Sequence, residues 1–67
     1  MILWVNKTQQ EYSTPLSLLQ LLEQLQKAQQ AGIAVAVNNQ VISKNNWSAF
    51  ALNDQDSVTI ITATQGG

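Results

Sequence analysis

The most distinctive reactive group in this 67-residue sequence is the terminal carboxylate of Gly67, which follows Gly66 and Gln65. Glycine has no Cβ, so a Gly-Gly end is thin and conformationally permissive. Such an end can enter a narrow channel and bring backbone close to a reactive centre. Its carboxylate, unlike a side-chain one, would sit on a movable tether, and docking would have to offset the entropy of ordering it. At average glycine usage, two terminal glycines arise by chance about once in 200 sequences, so the doublet is informative without being decisive. An expression remnant, a truncation or coincidence would produce it too. Its position directly after a β-rich segment strengthens the reading, because it would project from a folded body.

Little else offers chemistry. There is no Cys and no His, which removes disulfides, thiolate and imidazole metal sites, a Cys nucleophile and a His general base. Asp54 and Asp56 stand two apart and read as a solvated turn. Glu11 and Glu23 have no evident partner. Lys44, in a polar loop, reads either as a solvated surface residue or as a partner contact. No nucleophile–base constellation can be assembled, so a free-standing enzyme is the least favoured class. The chain reads as something that enzymes act upon.

The elements that must hold such a tail can be read in order. Residues 1–6 are apolar and β-favouring and predict a strand. A polar turn over Asn6–Gln9 leads to a weaker strand over Gln10–Ser13. Ser17 and Gln20 have the spacing of a capping box, with Leu16 and Leu21 placed as a hydrophobic staple. Leu18, Leu21, Leu22 and Leu25 then share one helical face. The helix is predicted over about residues 18–30, with Gly32 as its stop. Ile33–Val37 reads as a buried strand, Asn38-Asn39 as a turn, and Val41-Ile42 as a short strand. Ser43–Asn46 reads as a loop, Trp47–Leu52 as a segment returning to the core, Asn53–Asp56 as a turn, and Val58–Ala63 as the last strand. The order ββαββ, then β, places one helix over one face of a mixed sheet. The fold class is α+β: four to five strands packed on one main helix, in the ubiquitin-like β-grasp layout. The domain is expected at 1–63, with a flexible tail at 64–67.

Alternation puts Leu3 and Val5 inside, with Leu18, Leu21, Leu22, Leu25, Val35, Val37, Val58 and Ile60. Ile2 and Trp4 then lie on the open face of the sheet. Trp4 either docks a partner there or packs under a loop or the chain end. Trp47 reads chiefly as the anchor of the long loop.

Composition bounds the class of function. Charged residues are 10% of the chain and the net charge is −1. Three separated lysines, Lys7, Lys27 and Lys44, make no basic patch, which disfavours nucleic acid. No apolar run approaches membrane-spanning length and the start lacks a signal-peptide pattern, so a cytoplasmic setting without membrane association is expected. One domain of this size has a small core and no room for a deep active site.

Several segments together resemble the ThiS family of thiamine-biosynthesis sulfur carriers. They are Ile2-Leu3-Trp4-Val5-Asn6, Leu21-Leu22-Glu23-Gln24-Leu25, Ala36-Val37-Asn38-Asn39-Gln40-Val41-Ile42, Lys44 through Trp47, and Ala63-Thr64-Gln65-Gly66-Gly67. Each is weak alone; order, spacing and the Gly-Gly end carry the likeness over nearly the whole chain. The resemblance implies that a ThiF-type adenylyltransferase uses ATP to adenylate the Gly67 carboxylate, so the chain itself needs no cofactor. Sulfur from a cysteine desulfurase pathway would then give a thiocarboxylate, and a ThiG-type thiazole synthase would take that sulfur. Gly66 would let the tail pass, and the free protein would be a monomer. Two positions depart from the pattern. Ser43 stands where the family often has Pro, and Asp54-Gln55-Asp56 replaces a Glu/Asp-Gly-Asp turn, which implies a different turn backbone. A molybdopterin synthase small subunit, a ubiquitin-like modifier and a β-grasp interaction module without tail chemistry are the alternatives.

Overall fold

The computed structural model describes residues 1–62. Its elements are β1 (Ile2–Val5), β2 (Thr8–Glu11), α1 (Leu18–Gln24), β3 (Ile33–Val37), β4 (Gln40–Val41), a single 3₁₀ turn at Lys44–Asn46, and β5 (Asp56–Thr62). The sheet order is β2-β1-β5-β3-β4. β5 lies parallel to β1 and antiparallel to β3, while both hairpins, β1–β2 and β3–β4, are antiparallel. This is the mixed five-stranded sheet under one helix that the element order predicts.

The two hairpins close in the same way. Asn6 and Lys7 have φ of 48° and 69°, and Asn38 and Asn39 have 51° and 69°. Left-handed backbone at both central residues matches the right-handed twist of the flanking strands. The first turn therefore needs two residues only, and β2 starts at Thr8. The strand predicted over Gln10–Ser13 is shifted accordingly: Lys at a left-handed position gives no sequence signal for so tight a turn.

The helix is shorter than predicted. Ser17 caps it, its hydroxyl accepting from Gln20 N–H while Gln20 Oε1 accepts from Ser17 N–H, at 3.1 and 2.9 Å. It stops at Gln24, capped by Leu25, and not near residue 30. Gln26 takes φ 60°. Lys27 N–H then bonds Leu22 C=O and Gln26 N–H bonds Glu23 C=O, the paired bonds of a Schellman stop. Gly32, at φ 76°, serves the turn into β3 instead.

The core lies between α1 and the inner face of the sheet. Leu3, Val5, Leu18, Leu21, Leu22, Val35, Val37 and Val58 are buried, joined by Leu16, Ile42, Trp47 and Leu52 from the connecting segments. Leu25 and Ile60 are half-buried against this cluster. Trp47 anchors the long loop by donating its ring N–H to Ile42 C=O at 3.0 Å inside the core. The loop also closes the start of the helix, since Leu18 N–H bonds Phe50 C=O and Leu19 N–H bonds Trp47 C=O. The Thr14–Pro15 peptide is cis.

Candidate functional site

Gln65, Gly66 and Gly67, the predicted tail and reaction site, lie outside the described residues, as does the expected domain boundary at 63/64. What the structure describes is their platform. β5 is the central strand of the sheet, gripped by β1 over Asp56–Val58 and by β3 over Val58–Thr62. It ends beside Ile33, at the end of the sheet opposite to its start beside Leu3.

Ile2 and Trp4 fall on the open face, as alternation requires. Trp4 is exposed, and its ring N–H reaches Gln55 Oε1 at 3.3 Å. The same face carries Ser57, Thr59 and Ile61 on β5 and Ala34 and Ala36 on β3, with Val41 on the edge strand. Ile61 and Val41 are 59% and 73% exposed. Lys44 is exposed at the start of the 3₁₀ turn, on the connection that follows β4, and stands apart from Ile2 and Trp4 on β1.

The turn before β5 departs from expectation at Asp56. Gln55 has φ 73°, the left-handed conformation that a glycine favours. Gln55 is held there by its N–H bond to Ile2 C=O at 2.6 Å. Asp56 is not solvated, as it is 9% exposed. Its carboxylate accepts from Asn53 N–H at 2.8 Å and from Asn38 Nδ2 at 3.0 Å. Asp54 caps the start of β1, accepting from Ile2 N–H at 2.6 Å.

Two asparagines prove to matter beyond their turns. Asn38 Oδ1 accepts from Ser57 N–H at 3.0 Å, and Asn6 Oδ1 accepts from Ile60 N–H at 2.8 Å. The sequence marks both as turn residues and gives no sign of these bonds, whose partners are 19 and 54 positions away.

The described residues hold no cluster of three or more potential metal ligands. Partial burial raises the Tyr12 hydroxyl above its usual range, with its O–H donating to Gln10 Oε1. The surface depressions are open grooves, one lined by Ser13, Pro15, Leu16 and Gln20, another by Val41, Ile42, Asn46 and Phe50. No helix among the described residues is long and apolar enough to cross a membrane.

The sequence model of the ThiS family matches residues 3–67. The chain belongs to the ThiS family. It is 35% identical over 48 residues to the sulfur carrier protein ThiS of Escherichia coli K12, covering 72% of this chain and 71% of that one. The crystal structure of a thiamine biosynthesis protein (ThiS) from Geobacter metallireducens superimposes with a TM-score of 0.86 at 28% identity, over all of both chains. The solution structure of the same thiamine biosynthesis protein gives 0.81, over all of this chain and 88% of that one. The ThiS family fold is thus shared throughout, and the sheet described above is its ubiquitin-like β-grasp.

Proposed function

We propose that this chain is a sulfur carrier for thiamine biosynthesis, acted on by partner enzymes and not itself a catalyst. The observation that carries the reading is the family match extending through Gly67. In the proposed sequence the Gly67 carboxylate attacks the α-phosphorus of ATP on a ThiF-type adenylyltransferase. An acyl-adenylate forms and pyrophosphate leaves. The terminal sulfur of a donor persulfide then attacks the acyl carbon and displaces AMP, and two-electron reduction of the resulting acyl disulfide by a thiol releases the donor and leaves a terminal thiocarboxylate. A ThiG-type thiazole synthase accepts the tail and takes the sulfur for the thiazole ring. ATP and the catalytic groups belong to the partners, which agrees with a sequence that has no His and no Cys.

This chain's own contribution is placement. The carboxylate can stand no farther than about 20 Å from the Thr62 Cα, the limit for five extended residues and the carboxyl group itself. A partner must therefore bind the folded body close to its own reactive centre. The open face of the sheet, with Trp4 and Ile61 exposed on it, is the surface we assign to that docking, and Lys44 is a peripheral contact. The names of the relatives favour thiazole formation over molybdopterin synthesis as the destination of the sulfur.

The test is intact mass after incubation with a cognate adenylyltransferase, ATP and a sulfur source. The expected gain is about 16 Da at Gly67, oxygen replaced by sulfur, and peptide mapping separates it from Met1 sulfoxide, which adds a similar mass. Deleting Gly67 is expected to leave the circular dichroism spectrum and melting curve unchanged and to abolish the gain. A deletion variant that still acquires sulfur refutes the assignment.

A further inference from the structure

β5 is gripped over different spans by its two neighbours. β1 pairs with it as far as Val58, where the β1 chain turns away into the hairpin, whereas β3 follows it to Thr62. One residue extends the grip on the β1 side. Asn6, already in left-handed backbone at φ 48°, donates its N–H to Val58 C=O at 2.9 Å. Its side-chain Oδ1 then accepts from Ile60 N–H at 2.8 Å. The amide side chain supplies the acceptor that a further strand residue would have supplied, and the parallel ladder gains one rung after the strand itself has ended. A side-chain carbonyl can replace a backbone one in this way because the two acceptors are chemically equivalent.

Asn38 does the same at the other end and on the other side. Its N–H donates to Ser57 C=O at 2.8 Å and its Oδ1 accepts from Ser57 N–H at 3.0 Å. The two turn asparagines are thus alike in backbone and in bracing β5, but Asn38 also donates its Nδ2 to Asp56, and only Asn6 acts on the half of β5 that leads to residues 63–67.

We propose that Asn6 is a positioning residue for the end of β5: its side-chain carbonyl holds Ile60 from the β1 side and so steadies the strand end from which the chain continues toward Gly67. The proposal rests on the sulfur-carrier reading for its functional half. Without the bond, Thr59 through Thr62 are held by β3 alone, and the strand end must be ordered again each time a partner receives it. Fixing one residue in a single backbone conformation costs enough to weaken docking by roughly tenfold. That loss belongs to the encounter and not to the chemistry, so it falls on KM and spares kcat.

The experiment uses the full chain and three variants. Asn6→Gly removes the acceptor but tolerates the left-handed backbone. Asn6→Asp keeps an acceptor. Asn38→Gly removes the side-chain bonds to Ser57 and Asp56 at the far end of β5. Amide exchange is read without any partner at Ile61, which pairs with Ala34 and does not touch Asn6, relative to Leu22 and Val35 in the core. Asn6→Gly is expected to speed exchange at Ile61 by about tenfold relative to the core, reporting local opening rather than global unfolding. Asn6→Asp and Asn38→Gly leave that ratio as in the parent. Thiocarboxylate formation with a ThiF-type enzyme is then expected to show a KM raised by about tenfold for Asn6→Gly at unchanged kcat, with both parameters restored by Asn6→Asp.

Unchanged Ile61 exchange in Asn6→Gly overturns the proposal. So does faster exchange with an unchanged KM, or an equal rise in KM for Asn38→Gly per folded molecule, since Asn6 would then be merely structural. A parent chain that gains no sulfur from a validated enzyme sinks the carrier reading separately, because the exchange result is obtained without that enzyme.

Discussion

Asp56 shows how much one side chain can bind together at the residue scale. Burying a carboxylate is costly unless donors replace its water. Here two do, from Asn53 and Asn38, and they tie the turn before β5 to the hairpin after β3. Asp56→Ala would leave a backbone N–H and a side-chain amide without their acceptor. We expect a loss of about 2 kcal/mol, seen as a lower urea midpoint at unchanged slope. The Asp54-Gln55-Asp56 spacing is legible as a turn, but the burial of Asp56 is not, because Asn38 lies 18 positions away and only the folded sheet brings it near. The same holds for Asn6 and its bond to Ile60. Gly66 and Gly67, by contrast, stand out in the sequence because no packing is needed to recognise them.

At the scale of elements, the helix start was plain and the helix end was not. Ser17, Gln20 and the leucine face specify the beginning through local bonds and periodicity alone. Beyond Leu25 the residues Gln26-Lys27-Ala28-Gln29-Gln30 are acceptable helix formers by intrinsic preference. They lack an apolar face, however, and a short helix persists only where packing supports it. The helix therefore ends at Gln24, and Gln26 takes left-handed backbone, a conformation that strains any residue with a Cβ. Gln26→Gly is expected to raise stability by about 1 kcal/mol, measured as a higher denaturation midpoint without change in the helical signal. The strands were more legible. The β3 span matches its prediction over Ile33–Val37, and the Asn38-Asn39 turn falls where two adjacent asparagines allow it. β2, with all four of its residues exposed, has no buried face to fix its register in the sequence.

For the molecule as a whole, the division of the sheet into two faces is the organising fact. The inner face carries the core; the outer face carries Trp4, Ser57, Thr59, Ile61, Ala34 and Ala36, with Glu11 beside Ile2 at its β2 edge. Exposed apolar groups collected on one surface mark a site of association. Trp4→Ala is therefore expected to weaken binding to the adenylyltransferase, read by calorimetric titration, while its melting temperature stays within a few degrees of the parent. Alternation along β1 announces this face in the sequence, since Leu3 and Val5 can only be inside if Ile2 and Trp4 are outside. The contribution of Ile61 and Val41 depends on which strands become neighbours, and a single strand's pattern does not contain that.

The middle strand of the sheet is also the last of the five to be synthesised. β1 and β3 have no direct contact in the sheet order and meet only through β5. A nascent chain that has emerged as far as Leu52 thus possesses two hairpins and a helix but lacks the strand that joins the hairpins in one sheet. Closure waits on a pairing between residues more than fifty positions apart, such as Leu3 with Asp56, and such long-range pairing slows folding. Assembly and completion of synthesis are in this way coupled: a polypeptide interrupted before β5 cannot form the five-stranded sheet, and the outer face that carries Trp4 and Ile61 stays incomplete.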